Sequence, residues 1–301
     1  VAAGVTAARL AGIYPILYAF FDARGALDRA AMRRQAQACL AHGCGGMAIL
    51  GLATEVNKLS PEEKRTLIDW LAEDVGGRVP LAVTISGATV EEQVALAEYA
   101  KARSAAWLIL QPPRGGKPGE AECYDFFARV MEKVDLPCAI QNAPEFLGVG
   151  LGPESIARLA KERPNFVLLK GEGPAVHIRQ VIERAPGLAV FNGRGGLELM
   201  DNLRAGCAGM IVAPDTSDYQ QRVWQAFERG DEREAEAIYA RMLPAVVFIM
   251  QSLEHLVCYG KRIAAARLGL GEVHDRAPAL APTAFGLDCV ARFARELGPL
   301  A

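Results

Sequence analysis

Short apolar runs alternate with longer segments of helical period along the 301 residues. Eight runs stand out: GIYPILYAF from 12, GGMAILG from 45, PLAVTIS from 80, AAWLILQ from 105, PCAIQNA from 137, FVLLKGE from 166, LAVFNG from 188 and GMIVAPD from 209. Most are almost continuously apolar, the pattern of parallel strands covered on both faces. Helix signals fill the gaps. Ser60-Pro61-Glu62-Glu63 places a serine N-cap before a proline at the first helical position and a carboxylate at the third, and Thr89-Val90-Glu91-Glu92 repeats the capping box. Glycines in AHGCGG (41–46) and RAGCAG (204–209) are placed to end helices. Eight such units, roughly 20 to 35 residues apart, predict a (β/α)8 TIM barrel over 1–230. The remainder, 231–301, is helical in three segments and reads as extra C-terminal helices packed on the barrel, within a single structural domain.

Composition narrows the function. With 51% hydrophobic and 23% charged residues the chain can bury a large core, and a formal charge of −2 with interspersed signs argues against nucleic-acid or polybasic membrane binding. Seven cysteines without a CxxC pair fit reduced thiols in a cytoplasm, which is the expected location. Four scattered histidines, with no HxxxH or HExxH, predict no metal site. No stretch reaches the ~18 apolar residues of a membrane helix, and the opening residues do not read as an export leader.

In a barrel, function lies at the C-terminal ends of the strands and in the loops that follow. Lys170 ends the sixth run, Gln141 lies near the end of the fifth, GLATE (51–55) follows the second and NGRGG (192–196) the seventh, so all four should converge on one mouth. Residues i and i+2 of a strand share a face, so Lys170 and Glu172 point the same way. A lysine free in water, with a pKa near ~10.4, is no nucleophile. A buried one can be, and can form a Schiff base with a ketone without any cofactor. The alternative is a plain ion pair between Lys170 and Glu172.

The order of strand-end motifs resembles the dihydrodipicolinate synthase and N-acetylneuraminate lyase family over roughly residues 10 to 300. GLATEVNKLSPEEK stands where that family has a Gly-Thr-Thr-Gly-Glu-like turn, QNAP where it has Tyr-Asn-x-Pro, and LLKGE where it has an Ile-Lys-Glu-like strand. The resemblance implies that Lys170 is the Schiff-base lysine, that a small 2-oxo acid is the partner, and that the chain assembles as a homotetramer or dimer. Departures carry information too. Gln141 stands in place of the proton-relaying tyrosine, and an amide is neither acid nor base near neutral pH. Phe146 replaces the arginine that binds the second substrate of the synthases, and Arg114 replaces their interface tyrosine. QNAP, KGEGP and ATE are together closest to the 2-keto-3-deoxyarabonate dehydratase branch, although Asn142 and Gly171 differ from it.

The expected catalytic residues are therefore Lys170, Gln141 and Glu172, and the expected substrate-binding residues Ala53, Thr54, Arg114, Asn192, Gly193 and Ile211. Thr54 offers a hydroxyl and a backbone N–H to a carboxylate, whereas Glu55 reads as structural. NGRGG could instead cradle a phosphate. The expected activity is dehydration of a 2-keto-3-deoxy sugar acid through a lysine imine. Retro-aldol release of pyruvate by the same lysine, or a barrel that binds a 2-oxo acid without catalysis, are the alternatives.

Overall fold

A computed structural model describes residues 10–300, so the expectation about an export leader falls largely on 1–9, outside the described residues. The strands are β1 (Gly12–Pro15), β2 (Met47–Ile49), β3 (Leu81–Ile85), β4 (Trp107–Leu110), β5 (Cys138–Asn142), β6 (Phe166–Gly171), β7 (Ala189–Asn192) and β8 (Gly209–Val212). Each lies inside the apolar run that predicted it. The intervening helices are α1 (Arg29–Ala41), α2 (Pro61–Val75), α3 (Val90–Ala102), α4 (Glu120–Lys133), the single turn α5 (Pro144–Leu147), α6 (Pro153–Glu162), α7 (Ala175–Arg184), α8 (Leu199–Ala205) and α9 (Ser217–Glu228). The C-terminal segment adds α10 (Glu232–Ile249), α11 (Leu253–His255), α12 (Lys261–Arg267) and α13 (Ala284–Leu297). No single described helix is long and apolar enough to cross a membrane.

The strands form one eight-stranded sheet in the order β1-β8-β7-β6-β5-β4-β3-β2. A parallel bridge between Ile16 and Ala48, with Leu17 N–H donating to the Ala48 carbonyl at 3.0 Å, ties the chain beyond β1 to β2 and closes the ring. The fold is a (β/α)8 TIM barrel with extra C-terminal helices. Register decides which side chains neighbour one another: Gln141 of β5 is level with Lys170 of β6, and Lys170 with Phe191 of β7.

The capping signals are met unequally. Ser60 Oγ accepts from Glu63 N–H at 3.2 Å while the Glu63 carboxylate accepts from Ser60 N–H at 2.9 Å, a complete box. Thr89 Oγ1 accepts from Glu92 N–H at 3.1 Å, but the Glu92 carboxylate reaches one residue further back, to Ala88 N–H at 2.7 Å. Gly87, having no side chain, leaves it that path.

Two compact units divide the chain. Of the described residues, one comprises 10–12, 80–194 and 198–211; the other 13–79, 195–197 and 212–300. Within the first, Trp107 meets Phe191 edge to face with centroids 6.3 Å apart. Within the second, Arg267 lies buried and is held by Asp218 at 2.6 Å and by the Asp215 carbonyl.

Candidate active site

Lys170 sits at the end of β6, only 3% exposed, and its Nζ lies 2.8 Å from Glu172 Oε1. The intervening glycine has a packing reason: a Cβ at Gly171 would stand 2.7 Å from Ile178 Cδ1 on α7. Glycine thus lets the helix close on the strand while Lys170 and Glu172 face the other way. Glu172 is anchored through its own N–H, which donates to the Asn142 carbonyl at 2.9 Å. Its carboxylate lies against Gly193, where a Cβ would be 3.0 Å from Glu172 Cγ.

Gln141, 1% exposed, donates from Nε2 to the same Glu172 oxygen at 2.7 Å. Gln111, the residue after β4, donates from its Nε2 to Gln141 Oε1 at 2.9 Å. The three expected catalytic residues are therefore one hydrogen-bonded cluster, extended by Gln111, which sequence reasoning did not single out. Its signal was present: Gln111 ends an apolar run as Lys170 does.

The binding residues expected in this unit behave differently from one another. Asn192 directs its amide N–H groups to the Gly173 carbonyl at 2.9 Å and to Asn202 Oδ1 at 2.8 Å, while its own Oδ1 accepts from Gly193 N–H at 2.7 Å. Those bonds make Asn192 the builder of its turn. Arg194, with φ of 50°, is engaged by Glu198 at 2.8 Å and Glu145 at 3.4 Å. Ile211 is buried in β8. Arg114 is exposed in the loop after β4, its N–H donating to the Gly87 carbonyl at 3.0 Å.

Thr54 and Ala53 belong to the other unit, both buried. Thr54 Oγ1 donates to the Leu17 carbonyl at 2.6 Å, and its N–H donates to the Gly51 carbonyl at 3.1 Å. Glu55 has a left-handed φ of 57° and is clamped between Lys58 at 2.5 Å and the fully buried Lys261 at 2.6 Å. The Glu55 carboxylate is thus held by two ammonium groups. The same unit holds a buried pair that no local signal marked: Tyr18 O–H donates to Asp215 Oδ2 at 2.7 Å. Burial pushes the Asp215 carboxyl up to about 6, against the lowering effect of the Tyr18 and Thr216 hydroxyls. Among the described residues no three His, Cys, Asp or Glu side chains gather as a metal site.

A family model described as the dihydrodipicolinate synthetase family matches residues 9–284. The chain belongs to the dihydrodipicolinate synthetase family. Within its reach, the L-2-keto-3-deoxyarabonate dehydratase of Azospirillum brasilense is 29% identical over 243 residues, covering 78% of each chain. An Escherichia coli K12 protein named as a probable 2-dehydro-3-deoxy-D-pentonate aldolase, YjhH, is 26% identical over 83% of this chain and 86% of its own. The crystal structure of the Thermotoga maritima dihydrodipicolinate synthase superposes with a TM-score of 0.89 at 20% identity, over 97% of this chain and all of that one, a likeness of fold.

Proposed function

We propose that this member of the dihydrodipicolinate synthetase family dehydrates a 2-keto-3-deoxy sugar acid through a Schiff base on Lys170. The observation that carries the reading is the cluster at the end of β6: a buried lysine 2.8 Å from Glu172, with an amide, Gln141, beside it. An ammonium cannot attack a ketone, and Glu172 Oε1 is the acceptor in place to take its proton. The free amine adds to the C2 ketone, water leaves, and the protonated imine draws electrons from C3. Loss of a C3 proton gives an enamine, which expels the C4 hydroxyl as water once that oxygen is protonated. The proton held by Glu172 is available for that step. The resulting conjugated imine loses a C5 proton and regains one at C3, which leaves an enol at C4 and C5. The enol gains a proton at C4 and loses its hydroxyl proton to become the aldehyde, and hydrolysis of the imine returns Lys170 and releases the product. The net change is loss of one water.

Gln141 suits elimination. It can hold an oxygen in place but cannot relay a proton, which reversible aldol chemistry asks of the corresponding phenol. Similarity to an arabonate dehydratase supports the same substrate class. Retro-aldol cleavage by the same lysine is the second reading, favoured by the likeness to the E. coli aldolase. Product analysis with a 2-keto-3-deoxypentonate separates them: 2-oxoglutarate semialdehyde with an intact carbon chain is expected, whereas stoichiometric pyruvate would mean cleavage.

A further inference from the structure

Gln111 has no part in the chemistry above, yet it completes the hydrogen bonding of the group that does. An ionised carboxylate only accepts hydrogen bonds, so Glu172 Oε1, which already faces Lys170 Nζ, requires Gln141 to present its NH2 end. The oxygen of that amide then needs a donor in a place almost closed to water, and Gln111 Nε2 supplies it at 2.9 Å. The main chain of Gln111 is itself pinned. Its N–H donates to the Ile85 carbonyl at 3.0 Å and its carbonyl accepts from Gln93 Nε2 at 2.9 Å, so the side chain starts from a fixed origin.

We infer that Gln111 is a positioning residue of this site, a reversible end to a hydrogen-bond chain that lets Glu172 take up and release a proton. The inference rests on the Schiff-base reading. With Glu172 ionised, the chain runs Gln111 to Gln141 to Glu172, each donating to the next. With Glu172 protonated, both amides turn over and the chain runs the other way, so that Gln141 keeps a partner at each end in both states. An amide at 111 serves both directions, since it carries a donor and an acceptor at one place. The charged group facing Glu172 is Lys170; Gln141, Asn142 and Gly193, also against it, carry no charge.

Two variants of near-equal length read this out. In Gln111→Glu the new carboxylate can only accept, which turns Gln141 so that its oxygen faces Glu172 and favours the protonated acid. The acidic limb of the pH–rate profile then moves to higher pH than in the wild type. In Gln111→Met the Gln141 oxygen loses its donor, and kcat falls roughly tenfold with KM little changed. Both variants still form a borohydride-trapped adduct with pyruvate at Lys170, because the nucleophile is untouched. A limb that does not move in Gln111→Glu, with wild-type kcat in Gln111→Met and trapping intact, overturns the inference alone. Failure of the wild-type protein to trap at Lys170 overturns the Schiff-base reading and the inference with it.

Discussion

Lys170 and Gln141, on adjacent strands at the same register, both point a nitrogen at one oxygen of Glu172, at 2.8 and 2.7 Å. The carboxylate is thus the centre of the cluster, more than the lysine is. Glu172→Gln keeps the shape but removes the proton acceptor. Steady-state kinetics are expected to show kcat reduced by about 10² to 10⁴, the usual weight of a general acid–base group. A variant within a factor of three of wild type would leave Glu172 as a simple ion-pair partner.

The position of that carboxylate depends on the absence of a side chain at 193. Gly193→Ala places a methyl 3.0 Å from Glu172 Cγ and 3.1 Å from its Cδ, so one of the two must move. Because catalysis is sensitive to displacements of that size, kcat is expected to fall roughly tenfold or more while the thermal midpoint changes little. Unchanged turnover would show that Glu172 tolerates displacement.

Much of this was legible in the amino-acid order. Parallel strands buried on both faces must be apolar throughout, so eight runs became eight strands, and a charged residue ending one of them, Lys170, stood out against that background. Partnerships across long separations were not legible. Tyr18 and Asp215 are 197 residues apart, and nothing near either announces the other. Asn192 has the right chemistry to line a sugar-acid site, but bonds to Gly173 and Asn202 direct its amide into the protein. The reach of Glu92 to Ala88 likewise depends on a bare Gly87, which a capping-box pattern does not include.

Asp215 gives a prediction with a definite sign. Its folded pKa, about 6, lies above the free value of 3.8, so between those limits the folded protein binds more protons than the unfolded chain. The stabilisation from this group is complete at acid pH and is lost as the pH rises through about 6. Asp215→Asn keeps an oxygen for the Tyr18 hydroxyl and removes the buried charge. It is expected to unfold a few degrees higher than wild type at pH 7, on the order of 3 kcal/mol at most, with the gap narrowing between pH 6 and 4. A gap that widens on acidification would contradict the burial argument.

Lys261, with no exposed surface, balances Glu55 at 2.6 Å and lies 3.5 Å from Asp275. Lys261→Met removes the cation and leaves buried negative charge under the turn that carries Thr54. Urea unfolding is expected to show a loss of roughly 3 kcal/mol, and Glu55→Leu added to it should recover part of that loss. Strictly additive losses would show that the two residues are not coupled.

The most direct measurement is reduction of the protein with borohydride in the presence of pyruvate, followed by peptide mass mapping. One pyruvate-derived group per chain is expected, on Lys170, and none in Lys170→Ala. An adduct mapped to Lys117, Lys133 or any other lysine, or no adduct at all, would contradict it.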